Sequence, residues 1–226
     1  MRKKDLIRKG TLEEANRFLK GHPDDNPSAI AVYQDLDALI TRVHVLEDIH
    51  FTQQSVAEAA NSRRAEIRDD MRERMVTLLD IGKAVAKVEP AVTVPHKAVM
   101  GRTNDAVFLT TARAAVAEAT TYKAAFLKLG MPEDLPVQIG VLLDEFEGEL
   151  KRRSEAMAAH VAAAAEIPDV IRAAMGMLRH IDSLNRLRFR KNPELLAAWK
   201  TARNLPFPKA AEAEATKPAD GATKSA

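Results

Sequence analysis

The longest stretch of this chain without a proline runs from Ser28 to Glu89 and reads SAIAVYQDLDALITRVHVLEDIHFTQQSVAEAANSRRAEIRDDMRERMVTLLDIGKAVAKVE. A proline inside a helix costs about 3 kcal/mol, so a long interval without proline favours helix. The stretch predicts either one helix of about 60 residues or a hairpin that turns near Asn61. We favour the single helix, because a tight hairpin normally carries Gly or Pro. Apolar residues recur at helical spacing throughout the interval: Leu36, Leu39, Val43, Leu46, Ala57, Ala60, Ile67, Met71, Leu78 and Val85.

The composition of the chain also favours helices. Of its 226 residues, 46% are apolar, 29% are charged and only 4% are aromatic, and 39 are alanine. Such a chain builds a core from helices that approach closely through small side chains, and it lacks the residues that sandwiches and barrels need. There is no cysteine, which excludes disulfides, cysteine-ligated zinc and thiol catalysis.

Two short helices are predicted near the ends of the chain. Residues 11–20 begin with Thr11 and Glu14 in the spacing of a capping box, and Gly21 follows as a stop. Later, Asn192-Pro193-Glu194 combines a capping residue with a proline at the first helical position, which predicts the start of another short helix.

The most regular apolar pattern lies between Phe108 and Leu129. The helix is predicted to begin at a cap formed by Thr103 or Asn104 and to end at Gly130. Its apolar positions alternate in steps of four and three, as in the seam of a coiled coil. They are Phe108, Ala112, Ala115, Ala119, Tyr122, Phe126 and Leu129.

Two further long helices are predicted on either side of Pro168. The first spans residues 136–166 and should run antiparallel to its predecessor, because the connection between them is short. The second spans residues 169–190, and Pro168 marks a tight turn or a kink between them. The apolar face of the first consists of Leu135, Ile139, Leu142, Phe146, Leu150, Met157, Val161 and Ala164.

These elements predict an all-α protein, an elongated antiparallel helical bundle of about four long helices plus two short ones with a disordered C-terminal tail. Residues 1–27 would form the N-terminal short helix and loop, and residues 28–208 the bundle domain. Residues 209–226 are Ala, Lys, Glu, Thr and Pro without an apolar pattern, which is typical of disorder.

A basic segment near the end of the bundle is a candidate surface for nucleic acid or an acidic partner. Residues 172–203 hold eight bases and only two acids, and Phe189 and Trp199 are available in sequence to stack on bases. The alternative is structural: arginines near a helix C-terminus stabilise its dipole, and the acidic segment 133–149 would neutralise them. The binding candidates are Arg179, Arg186, Arg188, Arg190 and Lys191.

A few carboxylates and imidazoles at helical spacing are weak candidates for a metal site. They are Asp37, His44, Glu47 and His50. Glu47 to His50 is the chain's one Glu-x-x-His, whereas a di-iron bundle needs two. We prefer the alternative, in which these residues form a solvated polar stripe, and we therefore expect no cofactor. His50 and Gln53 fall on the seam register of the long helix, where polar groups often fix register or partner choice.

The chain carries none of the glycine-rich phosphate loops, zinc-protease motifs or nucleophile elbows of common enzymes. This favours a non-enzymatic structural or interaction module that self-associates through a helix seam. The alternatives are binding of nucleic acid or an acidic partner, and a bundle that binds a ligand or metal. Neither a signal-peptide run of roughly 7–15 apolar residues nor a span of ~20 is present, so we expect a cytoplasmic protein without a membrane partner.

Overall fold

The computed structural model describes residues 2–93 and 104–204, and these residues form six helices and no strand. This confirms the all-α prediction, with four longer helices and two short ones. The predicted disordered tail, 209–226, lies outside the described residues. The helices are α1 (Lys3–Gly21), α2 (Pro27–Ala86), α3 (Asp105–Thr121), α4 (Lys123–Lys128), α5 (Leu135–Arg188) and α6 (Pro193–Ala202).

Helix α2 settles the choice between a long helix and a hairpin. It is a single helix of 60 residues, and no turn interrupts it near Asn61. The proline at its first position fits the first turn of a helix, where a missing N–H group costs nothing.

The predicted start of the first helix is wrong. Helix α1 begins at Lys3, eight residues before Thr11, so Thr11 does not cap it. Thr11 instead lies inside the helix, and its hydroxyl donates to the carbonyl oxygen of Ile7 at 3.0 Å. The spacing of Thr11 and Glu14 resembles a capping box but lies in the interior of the helix.

The heptad helix also differs in part from the prediction. Asn104 caps α3 as expected, because its side chain accepts a hydrogen bond from the backbone N–H of Val107. The helix then breaks at Tyr122, which has φ −103° and ψ 31°, and α4 continues the chain. Gly130 provides the expected stop with φ +91°, a left-handed conformation that favours glycine.

Pro168 does not end a helix. The predicted helices 136–166 and 169–190 are one helix, α5, of 54 residues with Pro168 inside it. The predicted tight turn is therefore absent. At the far end of the chain, Asn192 caps α6 through a hydrogen bond from the N–H of Leu195, and Pro193 follows as expected.

The chain divides into two compact units, and α2 and α5 contribute residues to both. Unit 1 consists of the residues up to Asp48 together with those from Ala163 onward, and unit 2 consists of Ile49–Ala162. In unit 1, Trp199, Leu12 and Ile171 are among the side chains with at most 1% exposure.

Unit 2 has a hydrophobic core of its own. Phe108 and Phe146 lie fully buried in it, with ring centroids 5.9 Å apart. The heptad residues Phe108, Ala112, Ala115, Ala119 and Phe126 all belong to this core. The coiled-coil seam recognised in the sequence is therefore a packing surface inside one chain.

Candidate functional site

Arg188, one of the five basic candidates, is engaged inside unit 1. It donates hydrogen bonds to the backbone carbonyls of His22, at 2.9 Å, and of Pro23. Its Nε also lies 3.3 Å from a carboxylate oxygen of Asp24. Arg188 therefore fastens the loop between α1 and α2 to the end of α5.

Arg186 pairs with the buried carboxylate of Asp182, a residue that is only 8% exposed. We call this carboxylate and its donors the Asp182 cluster. Trp199 Nε1 donates to Asp182 Oδ1 at 3.0 Å. Arg203 and Arg186 approach Oδ2 at 2.7 Å and 3.0 Å. A buried carboxylate is costly unless it is paired and hydrogen-bonded, and these three donors supply that pairing.

The expectation that Phe189 and Trp199 stack on nucleic-acid bases is wrong. They are 4% and 0% exposed. Both rings pack against Phe18, with centroid distances of 5.8 Å for Phe189 and 5.5 Å for Trp199. The core of unit 1 occupies their faces, so neither ring can receive a base.

The other three basic candidates, Arg179, Arg190 and Lys191, are exposed. Within residues 2–93 and 104–204, their side chains form neither ion pairs nor hydrogen bonds. Of the five predicted basic residues, these three are the ones whose side chains are both exposed and unpaired in the described ranges.

The acidic segment 133–149 pairs with bases of unit 2. Glu145 lies 3.3 Å from Arg63 of α2, and Glu133 lies 2.9 Å from Lys123 of α4. Glu147 pairs with Arg113 of α3. Glu145 and Glu147 thus join α5 to α2 and α3, and Glu133 joins the connection before α5 to α4.

The metal candidate Asp37 binds two donors through one oxygen. Its Oδ1 accepts hydrogen bonds from Lys20 Nζ, at 2.6 Å, and from Asn16 Nδ2, at 2.7 Å. The hydrogen bond from Lys20, followed by that from Asn16, lowers the pKa of Asp37 below its ordinary value of 3.8. Asp37 is thus a carboxylate that joins α2 to α1.

His44 and Glu47 contact each other and two residues of α1. Glu47 lies 2.5 Å from Lys9 Nζ and 3.6 Å from His44 Nδ1, and His44 Nε2 lies 3.3 Å from Glu13. Burial lowers the pKa of Lys9, but the hydrogen bonds and charges of Glu47 and Glu13 outweigh it, and the pKa is raised overall.

His50 belongs to unit 2 and stacks on His160 of α5. The ring centroids are 4.0 Å apart and the planes differ by 19°. Each Nδ1 lies close to the other residue's backbone carbonyl oxygen, at 3.3 Å for His50 and 2.9 Å for His160. In the described part of the chain, no group of three or more metal-ligating side chains is placed to hold an ion.

The surface that the sequence did not predict is a groove in unit 2 of about 360 Å³. Its walls come from Gln54, Ala57, Glu58 and Asn61 of α2 and from Arg153, Met157 and His160 of α5. Met157, which lines the groove, is 40% exposed. Val161 lies one turn further along α5 and is 58% exposed, and Phe51, three residues before Gln54 on α2, is 77% exposed. We call Phe51, Met157 and Val161, together with this groove, the open face of unit 2.

The sequence placed Met157 and Val161 on one apolar helix face, and the structure leaves both exposed. Apolar spacing along a helix indicates which residues share a face, but it does not show whether another helix covers that face. His160 carried no sequence signal, because its partner His50 is 110 residues away in the chain.

No helix in the described ranges is long and apolar enough to cross a membrane. The chain matches no protein-family model, no curated protein and no solved structure. The side chains and surfaces described above are therefore the basis for any statement about function.

Proposed function

We propose that this protein is a non-enzymatic interaction module that self-associates through the open face of unit 2. The supporting observation is the exposure of Met157 and Val161, which lie one turn apart on α5 beside an open groove. A cytoplasmic location is part of the proposal, and the absence of cysteine is compatible with it.

The heptad seam of α3 does not support this function, because its residues are buried in the core of unit 2. Self-association must therefore use another apolar surface. Met157 suits this role, since its flexible, polarisable side chain adapts to different packing partners.

The charges beside the groove favour a second copy as the partner. Glu58 of α2 and Arg153 of α5 lie on its opposite walls. A two-fold interface uses the same patch on both copies, so the patch must be complementary to itself. A patch that carries one acid and one base satisfies this condition, because the Glu58 of one copy can face the Arg153 of the other.

Light scattering during size-exclusion chromatography tests the proposal. At about 1–100 µM, we expect the protein to be a dimer or larger, and the double variant Met157→Glu/Val161→Glu to be a monomer. The control is Val137→Glu/Val141→Glu, which changes two valines on the same helix that are 67% and 53% exposed. It should leave the oligomer intact.

A monomeric parent protein over this range, or equal dissociation of both double variants, would contradict self-association through this face. The alternative with a polyanionic partner rests on Arg179, Arg190 and Lys191. Absorbance recorded at 260 nm and 280 nm in the same run tests it: co-purified nucleic acid that dissociates in high salt would favour that alternative.

A further inference from the structure

Among the concave surfaces of unit 1 is a cleft of about 280 Å³ between α1, α2 and the loop that joins them. This volume lies just below the range of about 300–1,000 Å³ that is typical of small-molecule sites, which suits a small ligand. The wall is formed mainly by Leu19, Pro23, Ile30 and Tyr33, and Lys20 and Asp37 lie at the polar end. The cleft is separate from the open face of unit 2 and plays no part in the self-association proposal.

The apolar wall is held in place by its surroundings. Leu19 is 4% exposed, whereas Ile30 is 36% exposed and borders the opening. The hydroxyl of Tyr33 donates to Asn185 Oδ1 at 2.9 Å, and Asn185 is fully buried. This hydrogen bond fixes the tyrosine ring, so ligand binding does not require the entropy loss of ordering that ring.

Three charged side chains line the cleft. Asp24 is paired with Arg188 at 3.3 Å, so the charges available at the polar end are those of Lys20 and Asp37. Lys20 and Asp37 are 63% and 41% exposed at their side chains. Lys20 Nζ and Asn16 Nδ2 both bind Oδ1 of Asp37. The second carboxylate oxygen, Oδ2, accepts no hydrogen bond from the residues that the structure describes, and it is free for another donor.

We propose that this cleft binds a small zwitterion with an apolar side chain, of the kind represented by apolar α-amino acids. The ligand's ammonium group binds Asp37, its carboxylate binds Lys20, and its side chain packs on Leu19, Ile30 and Tyr33. A ligand with an ammonium group alone is repelled by Lys20, and one with a carboxylate alone is repelled by Asp37. A zwitterion pairs with both charges.

The test is a calorimetric or NMR titration of the full-length protein with defined probes. L-Phenylalanine and L-leucine should each bind saturably, with a dissociation constant below about 10 mM. Three probes each lack one feature: 2-phenylethylamine lacks the carboxylate, 3-phenylpropionate lacks the ammonium group, and glycine lacks the apolar side chain. Each should bind about tenfold more weakly or not at all.

Substitutions at the polar end provide the second arm. Asp37→Asn and Lys20→Met should each weaken L-phenylalanine binding about tenfold. Lys20 is mostly exposed, so Lys20→Met should leave the packing of unit 1 intact. The matched control is Asp35→Asn, an exposed carboxylate on the same helix that does not line the cleft.

Three results would overturn the proposal. They are the absence of saturable binding by either amino acid, equal affinity for the single-charge probes, and an equal loss of affinity in Asp35→Asn. The oligomeric state measured on the same samples is independent of these results, so failure here and failure of the self-association proposal are distinguishable.

Discussion

Single side chains in unit 1 show how one sequence segment is divided between structure and surface. Arg186 and Arg188 lie within three residues of each other, but Arg186 joins the Asp182 cluster and Arg188 binds the α1–α2 loop. Arg190 and Lys191 follow directly and are exposed. Composition predicted a basic segment. Arg186 pairs with Asp182 four residues earlier on α5, a spacing that the sequence contains, whereas the partners of Arg188 lie near the start of the chain. No local pattern contains the contacts of Arg188.

The paired carboxylate of Asp37 should make the stability of the protein depend on pH. Its pKa is lowered from 3.8, chiefly by the hydrogen bond from Lys20. The pair therefore stabilises the fold above about pH 4, and this stability is lost as the pH falls through the folded-state pKa. The carboxylate is 41% exposed, so we expect under about 1 kcal/mol.

Urea unfolding of the parent protein and of Asp37→Asn measures this contribution. We expect the parent to be more stable at about pH 7 and the difference to vanish near about pH 2. Asp35→Asn should show no such difference at either pH. A difference that persists in acid would show that Asp37 acts through packing and not through its charge.

At the scale of the helices, the sequence predicted the continuity of α2 but not that of α5. The spacing from Leu36 to Val85 and the lack of proline were sufficient for α2, because they are properties of the helix itself. Three boundaries were missed, at Thr11, Tyr122 and Pro168. The capping-box spacing at Thr11 and the proline at 168 are local signals that do not mark boundaries here, and the sequence carries no Gly or Pro at Tyr122 to mark the break.

The clearest such conflict is Pro168, which lies inside α5 next to the buried Ile167. Proline there has no N–H group to donate and its ring crowds the preceding turn. We therefore expect Pro168→Ala to stabilise the protein by about 1–2 kcal/mol, after allowing for the greater freedom of the unfolded chain. Chemical denaturation measures this change.

Pro193→Ala is the matched control, because Pro193 occupies the first turn of α6, where a missing N–H group costs little. Its effect should stay within about 0.5 kcal/mol. Destabilisation by Pro168→Ala would instead mean that unit 1 requires the local geometry that the proline imposes on α5.

At the scale of the whole molecule, each unit has its own buried aromatic residues, Trp199 in unit 1 and Phe146 in unit 2. Truncation of a fully buried aromatic side chain costs about 3–5 kcal/mol. We expect Trp199→Ala to reduce amide hydrogen-exchange protection mainly in α1, α6 and the parts of α2 and α5 within unit 1, residues 27–48 and 163–188.

The reciprocal variant, Phe146→Ala, should reduce protection mainly in α3 and in the parts of α2 and α5 within unit 2. Hydrogen exchange read by mass spectrometry locates both effects. Uniform loss of protection across the described residues in either variant would show that the two units unfold as one.

The order of the units along the chain has a consequence for synthesis on the ribosome. Unit 2 is one continuous segment, whereas unit 1 is assembled from residues up to Asp48 and residues from Ala163 onward. The nascent chain therefore exposes Leu12 and Leu36 first, but Ile171 and Trp199, which complete that core, emerge only after all of unit 2. During translation, unit 2 can fold before the segment from Ala163 onward is synthesised, so the N-terminal segment of unit 1 still lacks the residues that it packs against. If translation paused or stopped between the two segments of unit 1, unit 2 would be folded but the apolar residues of the N-terminal segment would stay exposed. Such a chain is a substrate for chaperones and proteases.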